Sequence, residues 1–321
     1  MNGIELTPEH PVSELAEYGT LAEAAGFDTG FVSAHYNNRD PFIALDRIGQ
    51  ATTDLRVGPG VVNPYETHPV ALASRMATLD ESTDGRAVFG LGAGDRSTLT
   101  NLGYDRDRPL RRVLETMKVA QRLWAGERVT HDGTFTATDA GLNYDAGEIP
   151  VYIGAQGPHM LKMSAKHADG VLINASHPAD VEWAAGKIED GLAMRPADRG
   201  AFDAAAYASV SIAEDGETAR EAARPPVAFI AGGAAPPVLE RHGIDPDAAA
   251  QIGEQIGAGK FTAAFGAVTD DMIDAFCIAG TPDEVAEKVD GVLAHVDSIV
   301  MGSPLGPDIE TAIALAGAVL E

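Results

Sequence analysis

The chain has 321 residues, of which 45% are hydrophobic, so it is long enough for one large α/β barrel or for two ordinary domains. Its formal net charge of −25 argues against a nucleic-acid partner, and no apolar run is long enough to predict a transmembrane helix. A single cysteine, together with a start that lacks the basic and apolar regions of a signal peptide, predicts a cytoplasmic protein.

The acidic residues are spread through periodic segments and are not gathered in one tail. This distribution predicts a folded surface that works in concentrated salt, because at about 1 M salt the Debye length is roughly 3 Å and self-repulsion is nearly abolished. We therefore expect the source to be a halophile.

Strand and helix patterns alternate along the chain. Strands are predicted, in order, at 3–6, 29–34, 55–58, 86–90, 149–153, 169–174, 205–212 and 298–301. The helices that follow them are predicted at 11–25, 41–50, 69–82, 108–124, 157–166, 178–192, 282–294 and 308–320. This alternation predicts an α/β fold, a (β/α)8 TIM barrel. The alternative is a doubly wound open sheet, and the lack of Gly-x-Gly-x-x-Gly after the first strand argues against it.

Two segments interrupt the alternation. Residues 128–144 are polar, and Asp132-Gly133 in their middle is typical of a hairpin turn. Residues 217–276 are rich in alanine, glycine and proline, which favours several short helices before the last strand–helix unit. We expect a single barrel domain over 1–321 that carries a hairpin insertion at 128–145 and a helical insertion at 217–276.

Polar residues follow the predicted strands at the end where barrels of this type carry their active sites. Glu5 lies among apolar neighbours, where desolvation would raise its pKa and keep it a proton donor; the alternative is a surface ion pair. Asp95 could approach a ligand from a glycine-rich loop or only stabilise a turn. The other polar residues at strand ends are Ser33, His35, Asn37, Asn38, Asn63, Gln156 and Asn174.

Two glycine-rich stretches follow the third and fifth strands. At Gly60-Val61-Val62 a flat apolar backbone could lie against a planar ring, although this stretch taken alone favours an ordinary loop whose glycines only make the turn. The stretch 154–158 opens a helix whose free N–H groups suit a phosphate or a polar ligand edge, and a simple tight turn is the alternative. The scattered histidines and the lone Cys277 predict no metal site.

Several stretches together resemble the coenzyme F420-dependent methylenetetrahydromethanopterin reductases of the bacterial luciferase-like superfamily. The matching stretches are 3–5, 35–39, 58–65 with 68–69, 92–95, 153–158, 269–276 with 279–282, and 302–307. Their order and spacing over nearly the whole chain make the set specific. The resemblance implies a luciferase-like barrel, coenzyme F420, a role in one-carbon metabolism and a homo-oligomer, either a dimer or a tetramer.

The resemblance also implies roles for individual residues. It maps a non-prolyl cis peptide bond to Gly60–Val61, against the deazaflavin ring, and it maps catalytic or substrate-binding roles to Glu5, Asp95 and Gln156. One departure is Ala34, where the family usually has aspartate, so that Ser33 would have to replace that contact. The implied coenzyme-binding residues are Ser33, His35, Gly60, Val61, Asn63, Gly154, Ala155, Gln156 and Gly157.

The chemistry that we expect is reduction of a methylene-tetrahydropterin. Glu5 would protonate the departing nitrogen, the opened methylene carbon would accept hydride, and a methyl-tetrahydropterin would result. The acidic composition resembles that of haloarchaeal proteins, which favours methylenetetrahydrofolate slightly over methylenetetrahydromethanopterin. The alternatives are an F420-dependent alcohol or sugar-phosphate dehydrogenase with His35 as the base, an FMN-dependent monooxygenase, and a coenzyme-binding barrel without turnover.

Overall fold

The computed structural model describes residues 1–320. The strands are β1 (Asn2–Glu5), β2 (Thr29–Val32), β3 (Arg56–Pro59), β4 (Phe89–Leu91), β5 (Val129–Asp132), β6 (Thr136–Ala140), β7 (Val151–Ala155), β8 (Gly170–Asn174), β9 (Asp203–Ile212), β10 (Ile278–Gly280) and β11 (Ser298–Leu305). The helices are α1 (Val12–Ala24), α2 (Pro41–Ala51), α3 (Pro69–Ser82), α4 (Arg96–Asn101), α5 (Pro109–Trp124), α6 (Pro158–His167), α7 (Pro178–Leu192), α8 (Gly216–Gly233), α9 (Pro236–Arg241), α10 (Pro246–Gly257), α11 (Phe261–Gly266), α12 (Asp270–Phe276), α13 (Pro282–Leu293) and α14 (Ile309–Val319).

Eight parallel strands form the barrel, in the order β3-β2-β1-β11-β9-β8-β7-β4. Bridges between Val57 and Ala87 and between Val62 and Leu91 join the two ends of this order and close the ring. The first and last strands of the chain, β1 and β11, are neighbours in it. The predicted TIM barrel is therefore confirmed, and the strand ends that carry the candidate residues meet at one face.

Many helix starts follow from local sequence signals. Proline occupies the first turn of eight of the described helices, where its fixed φ suits the helix and its missing N–H costs nothing. Asp40 caps α2 by accepting hydrogen bonds from the backbone N–H groups of Phe42 and Ile43. Thr281 and Glu284 form a reciprocal capping box at the start of α13. These signals set where the helices begin on the outside of the barrel.

Two separate layers of apolar side chains hold the barrel. An outer layer lies between the strands and the surrounding helices. The barrel interior is filled by Phe31, Val88, Tyr152, Leu172, Ala205 and Val300, with Val61 and Tyr207 packed against this cluster. Because both of these residues also line the cavity described below, the interior cluster supports the floor of that cavity.

Two short elements depart from the sequence expectation. Strand β10 extends the sheet by pairing with β9, and helix α4 replaces part of the loop expected after the fourth strand. Both lie outside the strand–helix alternation by which the equally short barrel strands were recognised. Residues 216–276 form α8 to α12 with a small apolar core of their own, and β5 and β6 form the hairpin. Among the described residues, no helix has both the length and the apolar character needed to cross a membrane.

Candidate active site

A cavity of about 610 Å³ opens at the carboxyl ends of the barrel strands. It brings together residues from β1, β2, β3, β4, β7, β8, β9 and β11, because all eight strand ends converge at this face. Every residue to which the sequence analysis assigned a catalytic, substrate-binding or coenzyme-binding role lines it. These residues are Glu5, Ser33, His35, Gly60, Val61, Asn63, Asp95, Gly154, Ala155, Gln156 and Gly157. Of the other polar residues expected at strand ends, Asn174 also lines the cavity, whereas Asn37 and Asn38 do not.

At the end of β3 the backbone of Gly60–Val61 forms an apolar shelf that faces the cavity. This shelf arises from a mismatch in the pairing register of β3 and β4. Val57 pairs with Ala87 and Val62 pairs with Leu91, so five steps along β3 face four steps along β4. An extra residue on one strand forces the backbone to bulge. The bulge falls at Gly60–Val61, whose peptide bond is cis, as the resemblance implied.

Glycines on the neighbouring strands make room for the side chain of Val61. A Cβ atom at Gly92 would lie 2.4 Å from Cγ2 of Val61, and one at Gly154 would lie 3.1 Å from the same atom. Real Cβ atoms do not approach that closely at the first position, so a larger residue there would displace Val61. The apolar shelf thus depends on missing side chains in β4 and β7.

Glu5 lies at the end of β1, deep in the cavity. Its Oε2 accepts a hydrogen bond from the backbone N–H of Ser303 at 3.2 Å, across the junction between β1 and β11. Burial raises the pKa of Glu5, and this hydrogen bond, the Ser33 hydroxyl and the charge of His35 only partly offset the effect. The net result is a carboxyl group that holds its proton at higher pH than an exposed glutamate.

Ser33 and His35 follow β2 and lie on either side of Ala34. Ser33 is 4% exposed, and its Oγ has no hydrogen-bond partner of good geometry among the described residues. A buried hydroxyl without a partner is costly, which makes it a candidate contact for a bound molecule. His35 is exposed at the rim, and its charge lowers the pKa of both Glu5 and Asp95.

Asp95 caps the short helix α4 and lines the cavity. Its Oδ2 accepts hydrogen bonds from the Ser97 hydroxyl at 2.5 Å and from the Thr98 backbone N–H at 2.6 Å. Burial acts to raise the pKa of Asp95, but these hydrogen bonds outweigh it and the pKa lies below its ordinary value. Asp95 therefore remains ionised, so that its turn-forming role and a charge facing the cavity coexist.

Asn63 and Gln156 differ in how free their side chains are. The Asn63 carbonyl oxygen accepts hydrogen bonds from the backbone N–H groups of Tyr65 and Glu66, and its amide donates to the Glu66 carboxylate. Asn63 is thus engaged within its own loop. Gln156 is exposed at the cavity mouth, just before Gly157, which caps α6 without a side-chain hydrogen bond. Gln156 is the freer of the two to bind a ligand.

Sequence reasoning missed Tyr207 and Arg106, which also line the cavity. Tyr207 lies in the middle of β9, where the alternation Ala205, Tyr207, Ser209 could have placed its side chain inward. Arg106 lies in the segment between α4 and α5, and its Nε donates to the Ala93 carbonyl at 3.2 Å. No local pattern predicts that contact.

Carboxyl groups outnumber arginines in the cavity wall. Glu5, Glu66 and Asp95 contribute carboxyl groups, whereas Arg106 is the one arginine in the lining. A cation that forms inside this cavity would be stabilised, because the wall holds ionised carboxylate close to it in a partly desolvated site.

Known proteins are similar to this chain in both sequence and architecture. A family model described as "Luciferase-like monooxygenase" matches residues 2–295. The 5,10-methylenetetrahydromethanopterin reductase of Archaeoglobus fulgidus is 44% identical, with 98% of this chain and 97% of that protein covered. The enzyme of the same name from Methanolobus tindarius is also 44% identical, with 98% of each chain covered.

A solved structure gives the same result at the level of the fold. The coenzyme F420-dependent tetrahydromethanopterin reductase from Methanopyrus kandleri superposes with a TM-score of 0.92 at 40% identity, covering 98% of this chain and 96% of that one. This coverage extends over nearly the whole of both chains. The chain therefore belongs to the luciferase-like family and, within it, to the family of the 5,10-methylenetetrahydromethanopterin reductases.

Proposed function

We propose that this protein is an oxidoreductase that transfers hydride from reduced coenzyme F420 to the methylene carbon of a methylene-tetrahydropterin. The observation that carries the proposal is the placement of a buried, proton-holding carboxyl group, Glu5, in the same cavity as the apolar shelf at Gly60–Val61. The names of the full-length relatives support the same reaction class.

The cavity suits a flat coenzyme. Its volume of about 610 Å³ lies within the roughly 300–1,000 Å³ typical of small-molecule sites. The apolar shelf offers a surface for one ring face, and the unpartnered Ser33 hydroxyl offers a polar contact. The residues that would hold the coenzyme are Ser33, His35, Gly60, Val61, Asn63, Gly154, Ala155, Gln156 and Gly157. When bound, reduced coenzyme F420 supplies the hydride.

Glu5 would perform the acid step. In the substrate, the methylene carbon bridges two nitrogens and must become an iminium carbon before it can accept hydride. The bond from carbon to one nitrogen breaks as the proton of Glu5 moves to that nitrogen, leaving a cationic iminium on the substrate and a carboxylate on Glu5. The raised pKa of Glu5 keeps that proton available at higher pH than an exposed glutamate would.

Asp95 and Gln156 would hold the pterin and balance its charge. Asp95 is ionised and faces the cavity, so it stabilises the iminium cation through its charge. Gln156 carries an amide that can both donate and accept hydrogen bonds, which suits the polar edge of a pterin. With both molecules bound, these residues would keep the donor and acceptor carbons close together, and such positioning is a large part of catalysis.

An activity assay distinguishes the two pterin carriers that could hold the methylene group, tetrahydromethanopterin and tetrahydrofolate. The relatives' names specify methanopterin, whereas the acidic composition is the ground for methylenetetrahydrofolate. Reduced F420 is offered with each carrier in parallel, in about 1 M KCl, with NADH and FMN as control cofactors. We expect F420-dependent turnover with at least one carrier. Turnover with neither, combined with F420-dependent oxidation of an alcohol or a sugar phosphate, would overturn the proposal in favour of a dehydrogenase.

The assembly and its location complete the proposal. We infer a homo-oligomer, dimer or tetramer, that works in the cytoplasm, as the family resemblance implies. Light scattering coupled to size exclusion in high salt measures the mass directly. A monomer across the working concentration range would contradict the inferred oligomer.

A further inference from the structure

A second pocket, of about 270 Å³, lies beside the active-site cavity. Four residues line both spaces: Ala34, His35, Asn63 and Glu66. The rest of the pocket wall comes mainly from the segment 36–42, which leads from β2 into α2, and from α3. A molecule bound in the cavity therefore has room to extend a side chain into the pocket.

The proposed reaction requires more room than the cavity alone provides. A site of about 610 Å³ lies within the range, roughly 300–1,000 Å³, that a single small molecule fills. The coenzyme and the pterin must both be bound when hydride is transferred, and each consists of a ring system with a long side chain. At least one of these side chains has to lie outside the cavity, and the neighbouring pocket is a place for it.

Two arginines in the pocket wall carry charges that the chain does not neutralise. Arg39 donates through Nη1 to the backbone carbonyl of Glu9 at 2.7 Å, and Arg75 donates through Nη1 to the Thr67 hydroxyl at 3.4 Å. Neither forms an ion pair with a carboxylate of the described residues, although the chain has 48 acidic and only 23 basic side chains. Each guanidinium keeps further N–H groups for an anionic ligand.

The two carboxylates in the same wall are engaged locally. Oδ1 of Asp40 accepts the backbone N–H groups of Phe42 and Ile43, at 2.9 and 3.1 Å, and so caps α2. Oε1 of Glu66 accepts a hydrogen bond from the Asn63 amide. These hydrogen bonds satisfy part of each carboxylate, so an anion that enters the pocket finds its hydrogen-bond donors on the two arginines.

Aromatic side chains accompany the arginines. Tyr36 is 53% exposed, and the guanidinium carbon of Arg75 lies 5.7 Å from the centre of the Phe42 ring. Such rings offer flat apolar faces to an aromatic ligand. Tetrahydrofolate and tetrahydromethanopterin both carry a benzene ring between the pterin and an acidic end, whereas the side chain of F420 is acidic but contains no aromatic ring. The combination in this pocket favours the pterin.

We propose that this pocket is a subsite for the side chain of the pterin substrate, in which Arg39 and Arg75 bind its acidic end and Tyr36 and Phe42 contact its benzene ring. The inference rests on the proposed function, in which a methylene-tetrahydropterin is the substrate. Guanidinium groups suit either carboxylate or phosphate, because their planar array of N–H groups donates two parallel hydrogen bonds to such anions. The pocket thus selects substrates by a charge that is remote from the reacting carbon.

The variants Arg39→Gln and Arg75→Gln remove the charge and keep a hydrogen-bonding side chain. Because both arginines are exposed, each loss should raise KM for the complete pterin substrate up to about fivefold, and the double variant should raise it about tenfold, at unchanged kcat. Arg47→Gln is the matched control, since Arg47 is an exposed arginine of α2 that does not line the pocket. Its KM should equal that of the wild type, and thermal unfolding checks that every variant is folded.

A truncated substrate separates recognition of the side chain from general damage to the site. The methylene derivative of 6-(anilinomethyl)tetrahydropterin keeps the two bridged nitrogens and the benzene ring but has no acidic group. We expect the wild type and the double variant to have the same KM for this compound, because the charge that the arginines recognise is missing. A tenfold difference that persists with the truncated substrate would overturn the inference.

Binding measurements keep this inference separate from the proposed function, because they need no turnover. Calorimetric titration with 5-methyltetrahydrofolate and 5-methyltetrahydromethanopterin should show about tenfold weaker binding in the double variant, whereas the affinity for F420 in a fluorescence titration should be unchanged. Equal affinities of wild type and double variant for both pterins would overturn the subsite even if the wild type turns over. A loss confined to F420 would assign the pocket to the coenzyme and overturn the assignment to the pterin. A wild type that reduces neither carrier removes the function, and the calorimetric result still decides whether the arginines bind the pterin side chain.

Discussion

Replacing Glu5 with glutamine tests the acid step with little change in shape. The amide oxygen still accepts from the Ser303 N–H, and the new NH₂ group can donate to the Ser33 or Tyr207 hydroxyl. What is lost is the transferable proton. General acid catalysis contributes about 10²- to 10⁴-fold, so kcat should fall by that factor, or about 3–5 kcal/mol of barrier. Coenzyme binding should be unchanged, because the shelf at Gly60–Val61 is untouched.

The same variant carries a stability prediction. The pKa of Glu5 in the folded protein lies above its ordinary value. In the pH window between these two pKa values, the folded protein binds a proton that the unfolded chain has released. The free energy of unfolding of the wild type therefore falls as pH rises through the window. Glu5→Gln has no such group to ionise, and it should be more stable than the wild type above the window while being far less active.

The assay follows F420 oxidation optically across pH, with thermal unfolding measured in the same buffers. Glu66→Gln is the control, because Glu66 also contributes a carboxyl group to the cavity wall but is held by the Asn63 amide. We expect it to change kcat far less than Glu5→Gln does. A Glu5→Gln protein with near-normal kcat, or one whose rate falls only because it no longer binds F420, would refute the assignment of Glu5 as the acid.

Three further predictions address the shelf, the charge and the salt. Gly92→Ala places a Cβ atom 2.4 Å from Val61 and should weaken F420 binding about tenfold in a fluorescence titration. The control is Gly186→Ala, whose Cβ atom meets no atom within 4 Å and which should leave the affinity for F420 unchanged. Equal affinities in the two variants would contradict the role of Gly92 in supporting the shelf. Asp95→Asn keeps a good cap for α4 but removes the charge, so kcat should fall roughly tenfold at unchanged melting temperature; an unchanged kcat would argue against charge stabilisation. With a net charge of −25, the melting temperature should rise steeply as KCl increases to about 1 M; equal values in dilute and molar salt would contradict the halophile hypothesis.

Local sequence signals were sufficient for most of the architecture. Each barrel strand could be recognised as an apolar run, and prolines and caps marked helix starts, because these signals act within a few residues. The candidate residues could also be located, since a glutamate ending a strand or an aspartate in a glycine loop is visible without knowledge of distant partners. The short elements β10 and α4 escaped because they lie outside the strand–helix alternation that made the equally short barrel strands recognisable.

The sequence by itself determined that the chain is a barrel, that polar residues end its strands and that a glycine-rich segment follows β3. Only the tertiary structure decided what those residues can do, because burial and pKa depend on neighbours that are remote in the chain. Glu5 receives its backbone hydrogen bond from Ser303, 298 residues away, since closure of the barrel makes β1 and β11 adjacent. The same closure places Tyr207 of β9 in the wall of the cavity that holds Glu5, and it creates the register mismatch between β3 and β4 from which the shelf at Gly60–Val61 arises.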